Sequence, residues 1–272
     1  MHIIQIAMTW LVFNTIPSIK GYGYSKKEQH LWPKKEKLCA GKLQSPVAIS
    51  TSKAVPLSLP ALEMIGYHDF LPTPQILENT GHTGNCSLSL FIVKLIVNKT
   101  AKRLPYIFGA VLKENQRYEI EQLHFHWGTK NNRGAEHVLN GIRYPMEVHI
   151  VHRNMAYSNF SDALWHEDGV VVVAAFFQVI QQFLSLKSRC QILQDENNEF
   201  LQSFVKKLAD VQWAYTEVSI NINVTLTSLI PSNTDIFYTY KGSLTTPPCS
   251  EAVTWIIFAN PVPISFRQVR QL

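Results

Sequence analysis

Gln122-Leu123-His124-Phe125-His126-Trp127-Gly128, followed by Glu136-His137 and by Glu147-Val148-His149-Ile150-Val151-His152, is the stretch on which the reading of this chain turns. Successive side chains of a β-strand point to opposite faces. Read as a strand, the first segment sends Gln122, His124 and His126 one way and Leu123, Phe125 and Trp127 the other. One face is then apolar, and the other offers two imidazoles about 7 Å apart along the strand. Glu147-x-His149 repeats the polar alternation, so a third imidazole on a neighbouring strand would complete a tripod. Three neutral nitrogens with one position left open make a catalytic zinc site rather than a closed structural one. A single strand histidine is ordinarily a core or surface residue, and His-x-His also arises by chance. What lifts this stretch above that reading is the grouping of His, Gln and Glu on segments with almost no other charge, where unpaired burial is costly.

Working outward, Gly169 to Ile180 is a continuous apolar run of mainly Val, Ala and Phe, fit for a strand buried on both faces. Phe200, Phe204, Val205 and Leu208 recur at helical spacing and predict an amphipathic surface helix over Glu199 to Ala209. Most other segments are short, rich in Val, Ile, Thr, Tyr and Phe, and punctuated by Gly, Pro and Asn, which favours a sheet-dominated single domain. The 272 residues are 46% hydrophobic and only 17% charged, a globular composition. No internal repeat, low-complexity linker or compositional break divides them.

Residues 1–20 stand apart: Ile3 to Ile16 carry no charge, and Lys20 is the first basic side chain after His2. This reads as a secretory signal peptide, with a retained amino-terminal anchor as the alternative. Sequons at Asn85, Asn98, Asn159 and Asn223 become glycosylation candidates in a secreted chain. Of the four cysteines, Cys39 and Cys249 lie in turn-rich segments, as oxidised cysteines of exported proteins often do; four cysteines allow three pairings, and spacing does not choose among them. The net charge of +5 is not concentrated, and its densest run, Lys34-Lys35-Glu36-Lys37, is short and interrupted by an acid, so nucleic acid is not expected as a partner.

A second, specific string is Gly242-Ser243-Leu244-Thr245-Thr246-Pro247-Pro248-Cys249. Together with Gln44-Ser45-Pro46, Asn79-Thr80-Gly81-His82, the His-x-His-Trp-Gly segment and Glu147-x-His149, it resembles the α-class carbonic anhydrases, above all their secreted, disulfide-containing members. The match is collinear from about Gly21 onward. The resemblance implies an α+β, sheet-dominated single domain over 21–272, with a large, mainly antiparallel, twisted central sheet and peripheral short helices. It implies reversible hydration of carbon dioxide to bicarbonate by zinc-bound hydroxide.

On that resemblance His124, His126 and His149 match the zinc ligands, and Gln122 and Glu147 the groups that fix the tautomers of His124 and His149, a role expected of outer partners at metal sites. Thr245 matches the threonine that hydrogen-bonds the hydroxide and gives its own proton to a carboxylate, here Glu136. His82 matches the proton shuttle, since a histidine both accepts and releases protons near neutral pH. Val151, Val172, Leu244 and Trp255 match the apolar wall for carbon dioxide, with Thr245 and Thr246 also facing the substrate; alone they would read as ordinary core. Three neutral imidazoles leave the charge of zinc free to ionise a bound water near pH 7, carbonic anhydrase itself being the standard case. His137 and His152 are expected to be structural. The resemblance pairs Cys39 with Cys249, closing a loop of more than two hundred residues; the chain-entropy model gives ~5 kcal/mol for such a loop as an upper figure. Cys86 and Cys190 lie outside the pattern and either pair together or stay free.

Three departures accompany the match. The 41 residues between His82 and His124 exceed the usual spacing, with the excess around Cys86 to Arg103, where Leu88 to Val97 is unusually apolar. The amino-terminal tyrosine of the family's network is Tyr22 or Tyr24, and spacing to Trp32 favours Tyr24. The chain stops at Leu272, shortly after Pro261 to Arg270, where family members continue with further strands, so a truncated domain with an open sheet edge is expected. The competing readings are a non-catalytic carbonic-anhydrase-like binding or matrix protein of the extracellular space and a poorly folded truncated product. Relatives of the first kind typically lose a zinc-ligand histidine, whereas all three are present here.

Overall fold

The computed structural model describes residues 22–23, 25–81, 93–101, 103–128, 133–179 and 197–271. The expected signal peptide, and Tyr24, His82, Asn85, Cys86 and Cys190, lie outside the described residues. In chain order the strands are β1 (Ala48–Ile49), β2 (Leu62–Ile65), β3 (Gln75–Asn79), β4 (Val93–Ile96), β5 (Tyr106–Gly109), β6 (Tyr118–Trp127), β7 (Val138–Leu139), β8 (Met146–Asn154), β9 (Val170–Val179), β10 (Glu217–Ile220), β11 (Phe237–Gly242), β12 (Val253–Phe258) and β13 (Val262–Ile264). Helices are short: α1 (Lys26–Gln29), α2 (Trp32–Lys35), α3 (Phe160–Ala163), α4 (Glu199–Leu208) and α5 (Phe266–Gln271).

β1 and β7 form a small parallel pair, and the other strands make one 11-stranded sheet ordered β10-β3-β4-β6-β8-β9-β12-β11, with β5 beside the start of β6, β2 on β5, and β13 on the end of β9. Its pairings are antiparallel except those of β9 with β12 and β13. This is the expected sheet-dominated α+β architecture. The apolar run predicted as a doubly buried strand is β9, buried from Val170 through Phe177 between β8 and β12.

β6 does not keep one alternation along its length. Its pairing with β8 runs Ile120↔His152 and then Gln122↔Val151, so Glu121 stands outside the ladder as a bulge. A bulge inserts one residue and reverses which face the following side chains take. Tyr118 and Ile120 therefore point into the same core as Leu123, Phe125 and Trp127. Gln122, His124 and His126 are left for the opposite face. Glu121 is 8% exposed and is held at the bulge by Arg153 Nε, 2.6 Å from its Oε1, and by Lys99 Nζ on its other oxygen. Removing one partner of so enclosed a pair costs about 3–5 kcal/mol.

Behind the sheet, Asn198 caps α4 by accepting from the Leu201 N–H, and Leu201 and Phe204 are fully buried, with the Phe204 ring 4.8 Å from that of Phe125. The predicted helix is present, with Leu201 and Phe204 buried and Val205 and Leu208 half-buried. The spacing of Phe200 and Phe204 had left out Leu201. The other sheet face carries a second apolar cluster containing Val151, Val172 and Trp255.

His152, on the core face of β8, is fully buried beside the Tyr67 hydroxyl, 2.9 Å from its Nε2. Burial pushes its imidazole down to about 4. The unfolded chain takes up this proton below about pH 6.5, so the group's contribution is complete above that pH and is lost as pH falls toward 4. Across pH 7 to 5 the loss amounts to about 2 kcal/mol. Unfolding free energies from urea titrations should therefore fall more steeply over this range in the wild type than in His152→Gln; equal slopes would show that His152 protonates freely in the folded protein.

Candidate metal centre

His124 and His149 lie directly opposite each other across β6 and β8, and His126 lies opposite Glu147. His149 Nδ1 is 3.2 Å from His124 Nε2 and 3.1 Å from His126 Nε2. The partners of the outer nitrogens assign the protons. Gln122 Oε1 accepts from His124 Nδ1 at 2.9 Å, and Glu147 Oε1 accepts from His149 Nε2 at 2.8 Å. Lone pairs on His124 Nε2 and His149 Nδ1 consequently face one another, an arrangement that is repulsive unless a cation lies between them. Burial first, and then the neighbouring imidazoles, hold His124 and His126 well below the usual histidine range, with Lys94 acting in the same direction on His124. Neutral, convergent imidazoles are the donor set that suits zinc.

Glu147 is completely buried and fully committed. Its Oε1 accepts from His149 and, at 2.6 Å, from His137 Nδ1, and its Oε2 accepts from the backbone N–H groups of Glu136 and His137, each at 2.9 Å. Burial alone would raise its carboxyl, but His137, His149 and their hydrogen bonds hold it well below the carboxylate range. The His137–Glu147–His149 group is therefore a hydrogen-bonded chain rather than a second metal site, because His149 meets Glu147 through Nε2 and the tripod through Nδ1. The segment carrying Glu136 comes this close to β8 because of Gly134, where a Cβ would meet the Pro145 carbonyl oxygen at 1.5 Å. From His137 the chain of hydrogen bonds continues to the Tyr240 hydroxyl at 2.8 Å and on to Ser45 Oγ at 2.9 Å.

Thr245 hydrogen-bonds Glu136, whose Oε2 is buried without a hydrogen-bond partner, 3.4 Å from His126 Nε2 and 3.9 Å from His149 Nδ1. Burial and the nearby Glu147 push the Glu136 carboxyl up to about 8. A cation held by the tripod would act the other way and favour the carboxylate that Thr245 needs as acceptor. The loop bearing Thr245 is pinned to the amino-terminal segment. Cys39 is disulfide-bonded to Cys249 across a separation of 210 residues, Ser45 N donates to Ser243 Oγ at 2.9 Å, and Ser243 N donates to Ser45 Oγ at 3.0 Å. Gln44 and Leu43 both bond Glu251 Oε1, at 3.0 and 2.6 Å.

The tripod opens onto a cavity of about 310 Å³. Val151, Val172 and Trp255, aligned across β8, β9 and β12, form one wall with Leu244, Phe160 and Leu164. Thr80, Lys94 and Gln122 form a polar wall, and Thr245 and Thr246 close a third side.

The model of the eukaryotic-type carbonic anhydrase family matches residues 27–272. Carbonic anhydrase 15 of Mus musculus is 33% identical over 243 residues, covering 88% of this chain and 68% of that protein. The chain belongs to the carbonic anhydrase family. Carbonic anhydrase 6 of Homo sapiens is 31% identical over 254 residues, 92% of this chain and 72% of that one, and the carbonic anhydrase-related protein of Rattus norvegicus is 34% identical over 174 residues, 62% and 54% of the two.

Against this family reading, His124, His149, Gln122, Thr245, Thr246 and the four expected wall residues line one cavity, His126 joins the other two imidazoles, Glu136 and Glu147 contact those histidines, and the expected disulfide is present. Sequence reasoning passed over Lys94, Phe160, Leu164, and the part of His137 as the second donor into Glu147. Only strand register and loop closure bring these into place, and Lys94 had no motif around it. Tyr22 lines the cavity and packs its ring 5.5 Å from Trp32. Among the sequons, Asn223 and Asn159 are exposed, the latter capping α3, whereas Asn98 is half-buried with its Nδ2 on the Thr73 carbonyl. No helix among the described residues is long and apolar enough to cross a membrane.

Glu147→Gln places an amide N–H₂ against two of the four existing donors, whichever oxygen it replaces. Its affinity for zinc, measured by chelator competition, should drop about 10- to 100-fold. Thermal unfolding should show a loss of about 3 kcal/mol. Unchanged zinc affinity would mean that Glu147 does not set the tautomer of His149.

Proposed function

We propose that this carbonic anhydrase family member is a zinc enzyme that interconverts carbon dioxide and bicarbonate, and that residues 1–20 direct it to the secretory pathway. The observation that carries the proposal is the convergence of neutral nitrogens from His124, His126 and His149 on a cavity with one apolar wall. Zinc, when bound by these nitrogens, supplies the Lewis acid that ionises water near neutral pH. Gln122 and Glu147 keep the ring protons of His124 and His149 on the outer nitrogens, so that the inner ones stay available.

Thr245 donates its hydroxyl proton toward Glu136, which leaves its oxygen lone pair to accept from the attacking hydroxide and aim it across the cavity. Val151, Val172, Leu244 and Trp255 offer carbon dioxide a surface without competing hydrogen bonds, and the Thr245 backbone N–H faces the substrate. Trp255 is itself fixed, its indole N–H donating to the Ser243 carbonyl at 3.2 Å. Addition of hydroxide to carbon dioxide gives bicarbonate, and the proton released from water leaves by way of His82. The similarity to a protein named carbonic anhydrase-related protein keeps a non-catalytic binding role as the competing reading; retention of all three histidines argues against it.

Purified protein loaded with zinc should hydrate carbon dioxide in stopped-flow assays, and an aryl sulfonamide should stop it; absence of activity in a folded, zinc-containing sample would refute the proposal. His124→Ala should lose zinc. Thr245→Ala should retain zinc while kcat/KM falls about a hundredfold, the usual worth of a positioned proton-relay group. His82→Ala should leave kcat/KM unchanged and lower kcat about tenfold in dilute buffer, with imidazole restoring it.

A further inference from the structure

Lys94 faces the cavity and has no part in holding the metal, orienting the nucleophile or moving the proton. β4 alternates strictly: Val93 and Leu95 are buried in the core, and Lys94 between them turns to the other face, half-buried. Its register partner is His124, whose partner on the next strand is His149, so Lys94, His124 and His149 form one row across three strands. With Thr80 and Gln122 it makes the polar wall of the cavity, which no acidic side chain among the described residues lines. Among the described residues, the ion pairs of the basic side chains engage Lys99, Lys113, Arg153 and Lys207 rather than Lys94. Its other register partner, half-buried Glu78 on β3, forms no ion pair with it, and an ammonium placed so at the wall of a concave site with apolar surface opposite concentrates small anions.

We propose that Lys94 is an anion-recruiting residue, which draws bicarbonate and other small carboxylate-like anions into the cavity and sets its preference for them over neutral ligands. The inference rests on the reading of this cavity as a carbon dioxide and bicarbonate site. Lys94 stands one register step from His124, and the anion occupies the space in front of the tripod. A unit charge acting across about 7 Å, at an effective dielectric between about 35 and 80, changes anion affinity by about three- to tenfold.

The probe is acetate, a planar monovalent carboxylate that is not turned over, titrated calorimetrically into the zinc-loaded protein at low and at physiological ionic strength. Lys94→Gln should weaken acetate binding by about three- to tenfold and Lys94→Glu by more, whereas Lys94→Arg should stay near the wild type; zinc content and melting temperature should be the same throughout. The difference between wild type and Lys94→Gln should narrow as salt is raised. A stem that merely covers surface would move stability and leave the acetate series flat. Equal acetate affinity in the wild type, Lys94→Gln and Lys94→Glu, with zinc bound in all, would overturn this inference alone. A folded wild type that neither holds zinc nor binds acetate would overturn it together with the proposed function.

Discussion

Between Ile120 and Gln122 the ladder joining β6 to β8 skips one residue, and the orientation of the face that carries the imidazoles depends on that skip. A strand without it would continue the alternation set by Tyr118 and Ile120, turning Gln122, His124 and His126 into the core and Leu123, Phe125 and Trp127 out of it. The apolar core would then lose three large side chains while gaining three polar ones without partners. The bulge is held by opposite charges: Glu121 lies between Arg153 of the partner strand β8 and Lys99, which follows β4. The electrostatics at one end of β6 thus govern the aim of imidazoles at its other end.

Given that face, the second constraint is the hydrogen-bond capacity of one carboxylate. Glu147 offers its two oxygens to two imidazole N–H groups and two backbone N–H groups. It fixes a tautomer on His149, and it also draws the Glu136–His137 segment against β8, which delivers Glu136 to His126 and His149. Through His137 and Tyr240 the same network reaches Ser45, and Ser45 and Ser243 exchange hydrogen bonds at the base of the Thr245 loop. The disulfide reinforces that contact from the other end of the loop. Thr245 and Glu136, more than a hundred residues apart in the chain, therefore meet through contacts that neither makes alone.

The cavity owes its asymmetry to rows that run across the sheet rather than along its strands. One row, Gln122, Val151, Val172 and Trp255, changes from polar to apolar as it crosses four strands. The row beside it runs from Glu78 through Lys94 to His124 and His149. An uncharged ligand and a charged one would accordingly meet different walls of the same space.

Much of this was legible in residue order. The alternation of His124 and His126 with Phe125 and Trp127, the repeat in Glu147-x-His149, and the apolar run that became β9 are local patterns, and local patterns survive in sequence because each records which face of a strand is wet. The collinear motifs tied the chain to its family and with it the Cys39–Cys249 bridge, which spacing alone left open among three pairings. Other features were decided only in three dimensions. The bulge at Glu121 has no composition of its own; it exists because Arg153 on β8 and Lys99 lie where a displaced carboxylate can reach both. The buried stripe of α4 centres on Leu201 and Phe204 because the Phe125 ring lies beneath it. Lys94 faces the cavity because the pairing of β4 with β6 sets its register against His124, and that pairing is a long-range contact that neither strand encodes by itself.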